Sequence, residues 1–273
     1  MAPVTDPHGD ARRRLVREVV TGSPTEPFGV YLFCPGEPGA ELARSVERDV
    51  FLETFGNSPE LLEKEYAPYA TSSVFVCVID HRRQVPVGAL RIVVPSPAGF
   101  KSFEDIAPVW GEDVEDMFER TGLVLEHRRI WDIATMAVDR EYRGKATIGL
   151  ATLGLYQAMT TTSQRCGIDY FVAILDMPVF RMMQSKLHLP FAGFTGVPPL
   201  PYLGSLASLP VWCFLPEAKK RIMAADSRLH DMIFDGVGLE PVMRSLDLDE
   251  AAVRVTALSA DGPGACPWRT DRR

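Results

Sequence analysis

Asp132 stands in an otherwise apolar run, Ile130 to Val138, between Trp131 and Ile133. Strand alternation would put Asp132, Ala134, Met136 and Val138 on one face. A carboxylate in such a place either borders a cleft, where it can take a proton from a reacting group, or is paired with a buried cation. Arg91, on the neighbouring strand, is the candidate cation. Just past the run, Arg140, Arg143 and Lys145 lie ahead of a helix. The unpaired N–H groups of a helix N-terminus, with positive charge beside them, suit a pyrophosphate; a basic surface turn after a buried strand has the same composition. Arg181, one turn into a later helix, is either solvent-facing or an anchor for a carboxylate or phosphate.

The remaining reactive side chains exclude chemistries. The five cysteines, Cys34, Cys77, Cys166, Cys213 and Cys266, form no CxxC pair, and an odd number cannot all pair internally. They read as reduced thiols of a cytoplasmic protein. Neither Cys166 nor Cys213 has a histidine partner in view, which argues against a thiol nucleophile. The five histidines show no HxxxH or HxH spacing, so no catalytic metal is expected.

These residues need elements to hold them. Val30 to Phe33 reads as a strand and Ala40 to Phe55 as a helix with Leu42, Val46 and Val50 at four-residue steps. Asn57-Ser58-Pro59 caps a second helix to about Tyr66. Ser73 to Asp80 and Val85 to Val94 read as antiparallel strands joined by His81 to Gln84. A polar stretch from Pro95 to Arg129, with a helix near Asp113 to Arg120, precedes the strand Ile130 to Val138. A helix to about Arg165 and a strand Tyr170 to Leu175 complete a βαβ unit. Then come a helix Met177 to Leu187, a strand Leu209 to Leu215 and a helix Glu217 to about Phe234. The fold class is α/β (α+β), a mixed, mostly antiparallel sheet with a central βαβ crossover and flanking helices. The divisions are a flexible arm 1–27, a main domain 28–216, a helical extension 217–258 and a disordered tail 259–273.

The chain has 273 residues, of which 46% are hydrophobic and 24% charged, with a formal net charge of -7. This is a globular composition whose bulk charge repels nucleic acid and anionic membrane surfaces. Ala146 to Gln164 and Leu187 to Pro216 carry no charge. Their threonines and prolines make them interior elements and not membrane spans. The second stretch holds Phe191, Phe194, Tyr202, Leu203, Leu206, Leu209, Trp212 and Phe214, enough to line an acyl tunnel or an ordinary core.

Trp131 to Gly149 resembles the acyl-CoA-binding core of the GNAT superfamily of N-acyltransferases, where a strand runs into an Arg/Gln-x-x-Gly-x-Gly/Ala loop. Arg143-Gly144-Lys145 fits, whereas Ala146 and Ile148 stand where glycine and glycine or alanine are expected. From Leu42 to Phe214 the chain also resembles the acyl-homoserine-lactone synthases and the long-chain N-acyl amino acid synthases. Val87 to Pro95 is similar to their Gly-x-x-Arg-Leu-x-Pro strand and Trp131-Asp132-Ile133-Ala134-Thr135 to their Trp-Glu-x-Ser-Arg strand. Met177 to Met183 and Thr195 to Gly204 match later segments in order. Asp132 replaces a glutamate and Thr135 an arginine. Near Arg48 to Ser58 the tryptophan that helps these lactone synthases hold S-adenosylmethionine is missing.

The resemblance implies direct attack of an amine, such as that of an amino acid, on an acyl thioester of coenzyme A or of the phosphopantetheine of an acyl carrier protein. It implies Asp132 as base, with backbone N–H groups around Met136 to Val138 as oxyanion donors. Arg91, Thr135, Arg181, Phe194 and Trp212 would contact substrate. Ala137, Arg140, Arg143, Gly144, Lys145 and Ala146 would hold the donor, or receive an acidic carrier protein. The alternatives are an S-adenosylmethionine-using lactone synthase and a non-catalytic acyl-thioester-binding protein of the same fold.

Overall fold

The computed structural model describes residues 7–143 and 149–260. Helix α1 (Pro7–Val19) is followed by β1 (Phe28–Phe33), α2 (Ala40–Phe55), α3 (Pro59–Tyr66), β2 (Ser73–Asp80), β3 (Val85–Val93), α4 (Lys101–Trp110) and α5 (Val114–Thr121). Then come β4 (Ile130–Val138), α6 (Leu150–Arg165), β5 (Tyr170–Asp176), α7 (Met177–Lys186), β6 (Ala192–Gly193), β7 (Leu200–Tyr202) and β8 (Ser205–Phe214). The chain ends in α8 (Leu215–Ala225), α9 (Ser227–His230), a π turn, β9 (Met243–Arg244) and α10 (Leu248–Ala260).

The nine strands form one mixed sheet in the order β6-β8-β5-β4-β3-β2-β1-β9, with β7 beside β8. β4 and β5 are parallel through the α6 crossover, and β1 runs parallel to β9; the other pairs are antiparallel. Helix α6 is buried along most of its length, which is why its sequence is small and uncharged. Some of its polar groups are held by carbonyls: Gln157 donates to the carbonyl of Met232 at 3.0 Å, and the Thr160 hydroxyl reaches the carbonyls of Tyr156 and Ile233. On the α6 face the core takes in Trp131, Leu155, Phe171 and Val211; the other face carries α2 over Phe75 and Ala137 and α3 to α5 over Val93 and Val172.

Three expectations change here. Within the N-terminal arm, 7–19 are helical, with Val16 buried beside α2 and β3. Ile222, Ile233, Phe234, Met243 and Val255 of the C-terminal extension share the main core, and β9 adds a strand to the sheet. The 259–273 tail begins inside α10, and 261–273 lie outside the described residues. No described helix is long and apolar enough to cross a membrane.

Candidate active site

β4 and β5 pair over only three positions, Ile130 with Tyr170, Trp131 with Phe171 and Asp132 with Val172. Both strands continue, β4 to Val138 and β5 to Asp176, so they diverge and open the sheet at its centre. A cavity of about 120 Å³ fills the opening, lined by Ile133 to Met136 of β4 and Ala173 to Asp176 of β5.

A bulge decides what faces it. On β3, Arg91 is opposite Thr135, but Ile92 is opposite Ile133, so Ala134 is the extra residue. Alternation therefore resets at Ala134, and the face expected for Asp132, Ala134, Met136 and Val138 does not exist. Trp131, Ile133, Met136 and Val138 belong to the α6 side; Asp132, Thr135 and Ala137 belong to the other. The backbone follows the same parity. The Asp139 N–H donates to the Val87 carbonyl at 2.9 Å, so the N–H of Ala137 also points at β3 while those of Met136 and Val138 point toward β5. Beyond Asp132 no β5 partner meets them.

Asp132 is fully buried and does not line the cavity. It accepts from the Ser102 N–H at 2.8 Å and the Ser102 hydroxyl at 2.6 Å, satisfying an orphan donor in the first turn of α4, whose N-cap Phe100 offers no side-chain cap. Burial pushes its carboxyl up to about 6, with the two Ser102 hydrogen bonds opposing the shift. The expected pairing with Arg91 is absent. Arg91 instead donates from Nε and Nη2 to the two oxygens of Glu47, whose Oε1 also takes the Thr135 hydroxyl. The Arg91 guanidinium lies 4.1 Å from the Tyr66 ring centre and 4.7 Å from that of Phe75. Glu47 was detectable in the sequence, since it falls on the apolar stripe of α2 beside Val46 and Val50.

The other expected site residues scatter. Thr135 and Met136 line the cavity, with Tyr202, Leu203 and Phe191 from the apolar stretch. Phe194 instead packs on Phe118 and Trp212 sits in the same cluster beneath α4 and α5, while Leu206 is exposed. Ala137 is core against α2. Arg143 Nε donates to the Val138 carbonyl, and Arg140 is exposed, 3.3 Å from Glu53. Arg181 is exposed and away from the cavity. Gly144, Lys145 and Ala146 lie outside the described residues. Away from the cavity, His230, Asp231 and Asp235 form the group of three metal-ligating side chains found among the described residues, a cluster that HxxxH or HxH spacing could not reveal.

The cavity has two characters. On the α6 side it is bounded by Met159, Ala173, Leu175, Val179, Met183 and Phe191, with the Tyr156 ring among them. On the other it meets Tyr66, Thr135, Asp176, Tyr202, Ser205 and Ser208. Tyr66 donates to the bulge carbonyl of Ala134 at 3.3 Å, and Tyr202 donates to Asp105, which Lys101 also holds together with Glu65. The turn between β7 and β8 is fixed on the end of α2: Asn57 Nδ2 donates to the Leu203 carbonyl at 3.0 Å. Gly204, at φ +80°, approaches so closely that a Cβ would lie 2.4 Å from the Phe55 carbonyl oxygen.

No protein-family model and no curated protein sequence matches the chain. Solved structures do. FeeM, an N-acyl amino acid synthase from uncultured soil microbes, aligns with a TM-score of 0.53 and 17% identity over 76% of this chain and 100% of that one. LasI, an acyl-homoserine lactone synthase, gives 0.51 and 15% over 74% and 96%. BjaI, a CoA-dependent acyl-homoserine lactone synthase solved with S-adenosylmethionine and isopentyl-CoA, gives 0.52 and 14% over 85% and 99%. The chain has the GNAT fold, in the form shared by these N-acyl amino acid and acyl-homoserine lactone synthases, as the motifs on β3 and β4 implied.

Proposed function

We propose that this protein is an N-acyltransferase that moves an acyl group from a thioester of coenzyme A or acyl carrier protein to an amine, by direct attack. The observation that carries this reading is the opening between β4 and β5, where the N–H groups of Met136 and Val138 point away from β3 and Met136 lines a cavity apolar on one side and polar on the other. The apolar side suits an acyl chain and the polar side an amine. Met136 and Val138 N–H are positioned to stabilise the oxyanion that develops when nitrogen adds to the thioester carbonyl.

Glu47 and Arg91 act as positioning residues, holding the Thr135 hydroxyl away from the reacting atoms and fixing β4 next to its bulge. Asp132 anchors α4, and α4 in turn supplies Asp105 to Tyr202. Arg143 ties down the end of β4, and Arg140, whose exposed pair with Glu53 is solvent-screened, can turn to an acidic carrier protein.

The test is thiol release from a series of acyl-CoA and acyl-carrier-protein donors against a panel of amino acids, alkylamines and S-adenosylmethionine, with products identified by mass spectrometry. An acyl-amine product establishes the reading. Binding of acyl thioester without thiol release from any donor would overturn it in favour of a binding protein, and a lactone product would make this a synthase of that kind.

A further inference from the structure

We infer that Asp176, held by Ser205, is the anchor for the acceptor's ammonium group and the base that takes its proton. The inference rests on the N-acyltransferase reading and names the part of the cavity where the amine binds. Asp176 is the last residue of β5 and the one carboxylate among the residues that line the cavity. Asp176 on β5 and Met136 on β4 line the same cavity from the two strands that part there, and the Met136 N–H points toward β5. A nucleophile held at Asp176 thus shares the cavity with the proposed oxyanion site.

The neighbouring acids are already committed. Glu47 is bound by Arg91, Asp132 by Ser102, and Asp105 by Lys101 and Tyr202. Asp176 accepts one hydrogen bond, from the Ser205 hydroxyl to Oδ1, and no cation pairs with it among the described residues. Ser205 is itself buried at the base of the β7–β8 turn, and Ser208, opposite Asp176 on β8, lines the same wall. A half-buried carboxylate beside apolar surface with a single neutral donor is poorly compensated, and an incoming ammonium compensates it. The substrate class is therefore a primary amine that is cationic in solution.

The step balances as follows. Asp176 removes one proton from the ammonium and passes it to water. The freed nitrogen pair forms the C–N bond at the thioester carbonyl, and the oxyanion is held by the β4 N–H groups. As the intermediate collapses the C–S bond breaks, and the second proton lost from nitrogen goes to the departing thiolate, giving amide and free thiol.

The experiment compares two nucleophiles on the full-length protein with octanoyl-CoA or octanoyl-pantetheine: butylamine, cationic at neutral pH, and hydroxylamine, uncharged there. Asp176→Asn should lower thiol release with butylamine about 100-fold, with a raised KM for the amine, and change the rate with hydroxylamine by less than about threefold. Ser205→Ala should give a smaller loss of the same selectivity. Equal losses with both nucleophiles in a variant of unchanged thermal midpoint, or no loss with butylamine, would overturn the inference while leaving acyl transfer intact. A wild type that acylates hydroxylamine but not butylamine would overturn it too; a wild type that releases thiol with neither would remove the N-acyltransferase reading itself.

Discussion

Glu47 of α2 and Arg91 of β3 form a doubly hydrogen-bonded ion pair inside the helix–sheet interface, at 3.0 Å from Nε and 2.5 Å from Nη2. Both side chains are almost fully excluded from water. Two desolvated charges of this kind add little net stability together, but either one alone is strongly unfavourable. Glu47→Ala should therefore destabilise the fold by about 3–5 kcal/mol, while the double variant Glu47→Leu/Arg91→Met should recover most of that loss. Urea unfolding of the two variants checks this, and a double variant as unstable as the single one would contradict it.

Asp132 gives the fold a pH dependence of definite sign. Its carboxyl titrates at about 6 when folded, against an ordinary value of 3.8, because burial outweighs the Ser102 hydrogen bonds. Between those values the folded chain retains a proton that the unfolded chain has released, so this contribution is largest at acid pH and is lost as pH rises through 6. Asp132→Asn removes it. The unfolding free energy of wild type minus that of Asp132→Asn should fall by roughly 2 kcal/mol from pH 4 to pH 6.5 and then level off. A pH-independent difference would show that the site is not titrating.

The parity of β4 can be read with proline. At Met136 the N–H faces the opening, so Met136→Pro should leave the sheet folded while reducing acyl transfer by about 10²-fold through loss of an oxyanion donor. At Ala137 the N–H enters the β3 ladder, and Ala137→Pro should unfold the protein or lower its midpoint sharply. Circular dichroism with a thiol-release assay separates the two outcomes; folded and active Met136→Pro would dismiss the oxyanion assignment.

Chain-length selectivity should be set from α7 and β5. Met183→Trp fills the apolar side of the cavity and should shift donor preference toward shorter acyl groups, whereas Met183→Ala should extend it. Rates over a series of acyl-CoA donors of increasing chain length provide the check. An unchanged profile in both variants would place the acyl chain elsewhere.

Regular segments were legible because their patterns are strong. α2, β2 and β4 occupy the spans that period and composition indicate, and the crossover is where the βαβ pattern puts it. Other parts were hidden for identifiable reasons. α4 contains Pro108 and begins without a capping side chain, because its cap comes from Asp132, thirty residues on. The bulge at Ala134 has no composition of its own, yet it changes the face of every later residue on β4. Asp176 reads in sequence as a strand end, and its importance depends on where two strands part. The Leu15, Val16 and Val19 set of α1, with Val20 just beyond it, was a signal for a docked helix, outweighed by its charged surroundings.

The parting of β4 and β5 also creates a strand edge in the middle of a sheet. An edge of this kind is a template for any extended segment that reaches it, from another molecule as readily as from a ligand. Here it is walled by α6 and α7 on one side and by the β7–β8 turn on the other, and that turn stays in place through the tight approach of Gly204 to the end of α2. A side chain at position 204 would meet the Phe55 carbonyl, lift the turn and bare the edge, making self-association the visible sign of its loss.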